Sequence, residues 1–288
     1  MRATTPALVA VLLLAFGAAG CSPERTAATR SGQAVTALDR RAPGEVIVDL
    51  RPNGEMLVGR VIAPPPDSDA DRTQRVRWLT AAGERQWAFS GTPILEARFM
   101  GDSGALLVLT TDHRLLRVDR DVALLDREAH GPISLDARGA RAVYTRGDAP
   151  TTSLIRAELA TGKTEVLAPG LSSVWSPALS ADGTEVVFVA STDGTPALWR
   201  QRDGEAPARW ALPAETALPT GPTAPVIFGA WMVYESDGSL CALGLDGVAH
   251  TSRRGLGLPL HVAGSPTMLA QSPDGTLTTL RPGDLEAR

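Results

Sequence analysis

Hydrophobic positions along the chain fall in short runs of four to eight residues, separated by turns rich in glycine and aspartate. No stretch keeps a period near 3.6, so the pattern predicts strands and disfavours helices. The clearest unit runs from Ser173 to Pro213. SVWSPALS is followed by the turn Ala181-Asp182-Gly183, TEVVFVA by Ser191-Thr192-Asp193-Gly194, ALWRQR by Asp203-Gly204, and ARWAL closes the unit. Asp-Gly between β-rich runs is a strong hairpin signal, because glycine adopts the positive φ of tight turns at no steric cost. Runs such as ALLVL, VVFV and WMVY are apolar without alternation, which predicts strands covered on both faces.

The same order of strands and turns recurs. Copies cover Ala97–Leu125, Ile133–Leu167, Ala224–Ser252 and His261–Leu285, and an early copy opens at Val46 and closes at Phe89. Six units of about 41 residues match the length of a four-stranded propeller blade. The predicted fold is an all-β, six-bladed β-propeller of four-stranded antiparallel blades over residues 33–288. After Pro282-Gly283 little chain remains for an outer strand in the last copy. Gln33–Asp39, which contains the strand formers Val35 and Thr36, is expected to supply it and close the ring.

The blade Val174–Gly204 carries W-S-P-x-x-S-x-D-G, a central Phe188 and a closing Leu198-Trp199. This resembles the WD40-like repeat of TolB and of the propellers in the prolyl oligopeptidase family. The resemblance implies a fold. It covers turn and core residues, so it assigns no functional site. TolB carries a further α/β domain and the peptidases a hydrolase domain, and the chain is expected to hold neither.

The first forty residues read differently. Arg2 precedes an apolar run from Ala7 to Phe16, then Gly17-Ala18-Ala19-Gly20, then Cys21. The run is short for a bilayer span and has the order of a secretory signal. A cysteine directly after Ala18-Ala19-Gly20 resembles the lipobox of bacterial lipoproteins, although that family prefers leucine where Ala18 stands. The resemblance implies a signal peptide over residues 1–20, a lipid on Cys21, and a polar tether over 21–32. Ser22, where an inner-membrane lipoprotein tends to carry aspartate, implies the outer membrane in a diderm cell.

Composition narrows the classes. The formal net charge is −4 and the only lysine is Lys163, so no basic surface is expected to follow phosphates and no nucleic-acid partner is expected. Once Cys21 is lipidated, Cys241 is the remaining thiol, and its strand SLCALGL predicts a buried structural cysteine rather than a disulfide. Tryptophans 78, 87, 175, 199, 210 and 231 are expected in the core between blades.

Candidate chemistry is sparse. Asp67, Asp69 and Asp71 open with the spacing of a calcium loop, but the positions that need glycine and glutamate hold Arg72 and Trp78. Ser180-Ala181-Asp182-Gly183 departs from the Asp box of sialidase propellers and reads as a hairpin turn. His113, His130, His250 and His261 share no ligand spacing. Counting along the first strands places Asp49, Glu96, Arg98 and His261 at the axis, a thin set for a reaction centre. No catalytic residue, metal site or cofactor is therefore expected. The reading is a membrane-anchored envelope lipoprotein whose propeller acts as a non-catalytic protein-interaction module, with another envelope protein as partner. The alternative is an enzyme or small-ligand binder with its site in the central channel. Convergent acids at the axis would favour the second.

Overall fold

The computed structural model describes residues 41–42, 45–51, 54–62, 73–80, 82–90, 92–148, 151–212, 216–220, 224–247, 250–254, 258–261, 267–271 and 277–285. Strands follow one another as antiparallel neighbours in six sheets. Blade 1 holds β1 (Val46–Leu50), β2 (Met56–Ile62), β3 (Thr73–Thr80) and β4 (Gly83–Ser90). Blade 2 holds β5 (Ile94–Phe99), β6 (Leu106–Thr110), β7 (Leu115–Val118) and β8 (Val122–Asp126). Blade 3 holds β9 (Ala129–Leu135), β10 (Arg141–Arg146), β11 (Ser153–Glu158) and β12 (Lys163–Leu167). Blade 4 holds β13 (Ser172–Leu179), β14 (Glu185–Thr192), β15 (Thr195–Arg202) and β16 (Ala208–Arg209). Blade 5 holds β17 (Val226–Phe228), β18 (Trp231–Ser236), β19 (Ser239–Gly244) and β20 (His250–Arg254). The last sheet holds β21 (Leu258–His261), β22 (Met268–Gln271) and β23 (Leu277–Leu280).

The first strand of each sheet touches the first strand of the next, and β21 returns to β1, so the six sheets form a closed ring. Burial explains the ring. The middle strands are apolar on both faces, and each face packs on a neighbouring sheet. Leu57, Val76 and Trp78 of blade 1 meet Ala97, Phe99 and Val108 of blade 2. Val143 and Leu154 of blade 3 meet Val186 and Phe188 of blade 4. At the seam, Leu269 and Leu277 pack on Ile47, Met56 and Val58. The ring closes through this apolar contact among the described residues. Each blade interface has its own cluster, so no single core dominates.

One expectation is corrected. Six four-stranded blades were predicted, and the structure has five, with three strands in the sixth sheet among the described residues. The outer strand was expected from Gln33–Asp39, which lies outside the described residues, and the described residues past β23 do not replace it. Pro282–Asp284 form a single 3-10 turn, held where the Arg281 amide donates to Asp284 Oδ2 at 2.8 Å. Leu285, 1% exposed, then drops between blades 5 and 6 instead of extending a strand. The segment Gln33–Asp39 lies outside the described residues, as do the signal peptide, Cys21 and the tether.

In a meander of antiparallel strands all first strands run the same way round the ring. Turns from first to second strand therefore share one face. The chain enters β1 from Glu45 on the other face. Among the described residues no helix is long and apolar enough to cross a membrane.

Candidate functional site

The first strands turn an edge toward the axis, and the backbone amides on that edge need acceptors. Side chains of the preceding blade supply them. Phe99 N donates to Asp49 Oδ2 at 2.6 Å, Ile133 N to Glu96 Oε2 at 2.8 Å, and Leu179 N to Ser134 Oγ at 2.9 Å. A staircase of bonds thus links blades 1 through 4. In β1 and β5 a bulge lies just before the acid, between Ile47 and Asp49 and between Ile94 and Glu96. A bulge re-aims the side chains that follow it, here toward the next blade.

Arg98 sits between the two acids. Its Nε donates to Glu96 Oε1 at 2.8 Å, and its NH1 lies 3.7 Å from Asp49 Oδ1. Burial raises the pKa of both acids, and Arg98 and the bonded amides oppose the shift. Burial pulls Arg98 down, and Glu96 and Asp49 more than offset it. The axis therefore does bring acids together, as the channel-site alternative requires. Each acid, however, is engaged by an amide and by Arg98. His261 lies in β21, with its side chain outside the described ones.

Above this trio a cavity of about 220 Å³ opens on the face of the first-to-second-strand turns. Asp49, Arg51, Arg98, Asp102 and Asp136 line it together with apolar side chains. Arg51 donates to Glu55 Oε2 at 2.8 Å and to the Ser103 carbonyl, and it stacks between Trp78 and Phe99 at 4.5 and 4.3 Å. Asp136 uses Oδ1 to accept Ala140 N at 2.7 Å and Arg141 N at 3.0 Å.

The turns around this mouth are tied to one another. Ala137 N donates to Ala181 O at 2.9 Å, and Arg141 NH1 to Gly183 O at 3.0 Å. Gly101 and Gly139, with φ of 53° and 63°, bring the backbones of blades 2 and 3 into contact. A Cβ on Gly139 would stand 2.2 Å from Gly101 N, and a Cβ on Gly101 would stand 2.2 Å from Arg138 O.

Sequence reasoning placed Asp49, Glu96 and Arg98 correctly and missed Arg51, Asp102 and Asp136. A signal existed: Asp136 in LDARG aligns with Ser180 in LSADG, at the end of each first strand. Other expectations resolve plainly. Cys241 is buried and unbridged between blades 4 and 5. Trp78, Trp210 and Trp231 are buried between blades, Trp175 and Trp199 are partly so, and the Trp87 side chain lies outside the described ones. Ser180–Gly183 is a turn in which Asp182 Oδ1 accepts Ser180 Oγ at 2.6 Å and Thr184 N at 3.1 Å. Asp67, Asp69 and Asp71 lie outside the described residues. Among those that are described, no three His, Cys, Asp or Glu side chains converge as metal ligands.

The fold does unite one histidine pair that spacing did not. His113 and His130 stack at 4.1 Å across blades 2 and 3, with Asp148 3.9 Å from His130 Nε2. Burial lowers the pKa of His130, and His113 lowers it further, against Asp148 and Glu128. Below about pH 6.5 the unfolded chain takes this proton before the folded one, so stability falls as pH drops. The melting temperature should fall more between pH 7.5 and 5.5 in the native protein than in His130→Gln. Equal falls would show that the stack does not titrate with folding.

The ring and its axial mouth define a β-propeller. No protein-family model matches the sequence, and no curated protein sequence matches it. Solved structures do resemble the fold. A chain of a complex of KlAtg21 with the coiled coil of AgAtg16 has TM-score 0.54 at 13% identity, covering 82% of each chain. A chain of a nidogen/laminin complex has TM-score 0.53 at 12% identity, covering 76% of this chain and 90% of that one. A putative TolB from Agrobacterium tumefaciens has TM-score 0.51 at 16% identity, covering 82% and 88%. Likeness at this identity shows the propeller fold alone.

Proposed function

We propose that the chain is an envelope lipoprotein, held by lipid on Cys21, whose propeller binds another envelope protein without catalysing a reaction. The observation that carries this reading is the axis. Asp49, Glu96 and Arg98 are committed to joining blades, and the turns around the mouth are locked across blades by backbone contacts. A pre-organised face of this kind suits recognition, because little is left to order on binding. The similarity to TolB-type propellers and the lipobox-like start support the envelope, and Ser22 supports the outer membrane of a diderm cell.

Two measurements test the proposal. Cys21→Ala should move the protein from the membrane fraction to the soluble fraction or stall its processing; unchanged membrane association would remove the lipid anchor. Affinity capture of the tethered protein from its own membranes should return a stoichiometric protein partner. Return of the propeller alone, with a small molecule bound at the axis, would favour the second reading. That reading is a small-ligand binder or enzyme at the channel, and the convergence of Asp49 and Glu96 beside the cavity favours it.

A further inference from the structure

We infer that the axial mouth is the docking point for a lysine or arginine side chain of the partner protein. The inference rests on the interaction-module reading and names the chemistry of that partner. Three observations converge on it.

The first is size. A cavity of about 220 Å³ lies below the roughly 300–1,000 Å³ of clefts that enclose drug-sized molecules. It suits one long side chain rather than a whole metabolite. The second is charge. Both arginines in the lining are already matched: Arg98 by Glu96 and Arg51 by Glu55, each at 2.8 Å. The carboxylates of Asp102 and Asp136 remain, so the mouth is a negative well with low-dielectric walls. Asp136 is 7% exposed, and among the described residues its Oδ2 accepts no hydrogen bond. Asp49, by contrast, is spent on the Phe99 and Leu50 amides and on Arg98. A carboxylate oxygen with spare capacity at a cavity calls for a cationic donor.

The third is the shape of the lining. Leu50, Ile133, Leu179 and Val226 give it apolar walls. Lysine and arginine bury a methylene stem along such a wall and keep the charged head at a polar end. No three metal-ligating side chains converge among the described residues, so a bound divalent ion is the poorer complement. The walls come from the first strands and turns of five sheets, so the geometry is set by the ring rather than by one loop.

The test is an NMR titration of the full mature chain with blocked tripeptides, acetyl-Gly-X-Gly-amide, where X is Lys, Arg, Leu or Glu. Saturable shifts confined to amides around the mouth, such as Leu50, Phe99, Ala137 and Ala181, are expected with Lys or Arg. They should weaken with added salt and be absent with Leu and Glu. Asp102→Asn with Asp136→Asn should weaken binding about tenfold, since each removed charge takes a charge-assisted bond with it. Asparagine keeps the acceptor that Ala140 and Arg141 use, and Asp102→Asn alone, at an exposed residue, serves if the double variant is unstable. Asp193→Asn, on the opposite face, should change nothing. Shifts spread evenly over the surface, or binding undiminished in the aspartate variants, would overturn the assignment. A captured partner that survives the double variant would leave the module reading standing and remove this one. Peptide binding at the mouth with no protein partner retained would do the reverse.

Discussion

Gly139→Ala is expected to destabilise the propeller by about 2–6 kcal/mol. Left-handed backbone at a non-glycine residue costs about 1–3 kcal/mol, and overpacking adds about 1–3 kcal/mol. The second contribution cannot relax away, because the atoms it meets are Gly101 N and the Met100 backbone, at 2.2 and 2.4 Å. Gly162→Ala is the control. Its φ of 71° carries the same strain, yet no neighbour lies within 4 Å of an added Cβ. Urea unfolding should rank Gly139→Ala well below Gly162→Ala. Equal midpoints would mean that blades 2 and 3 do not touch at their turns. Gly101→Ala should resemble Gly139→Ala, and the double variant should cost less than the two together, because both disturb one contact.

Asp49→Ala should cost about 2–4 kcal/mol. Most of this is the orphaned Phe99 amide, since a buried donor without an acceptor costs about 1–3 kcal/mol. The remainder is the ion pair to Arg98, the weaker part at 3.7 Å, because Arg98 keeps Glu96 at 2.8 Å. Asp49→Asn retains an oxygen for Phe99 N and should lose much less. Equal losses in the two variants would mean that charge, not the amide bond, sets the role of Asp49. Chemical denaturation of both variants at neutral pH decides the matter.

The blades were legible in the sequence because their physics is local. In blade 4 each turn carries its own glycine, and Val186 to Ala190 are apolar because both faces of β14 are covered. In the sixth sheet three strands were legible, and Pro282-Gly283 marked where they stop; the burial of Leu285 depends on a neighbouring blade and did not show. The candidate site was half legible. Asp49 and Glu96 stand out as acids in apolar strands, so counting along the strand finds them. Their task does not show, because the amides they accept belong to Phe99 and Ile133, 50 and 37 residues away. Asp136 reads as an ordinary turn aspartate until the ring sets it on the same cavity as Asp49. The histidine stack is invisible for the same reason: it joins two blades across a separation that no motif spacing encodes.

An even number of strands per blade decides where the molecule points. Each four-stranded blade returns the chain to the face on which it began, so the entry at Glu45 and the axial mouth lie on opposite sides. A stem attached at the entry side turns the mouth outward from whatever the stem is rooted in. Under the proposed lipid anchor on Cys21, the chain to Arg41 would reach at most about 70 Å when fully extended. The effective concentration of the mouth would then be greatest for targets suspended above the bilayer and would fall away for targets lying in it. With that anchor the molecule would act as a stalked receptor whose reach, and not only its affinity, selects what it meets.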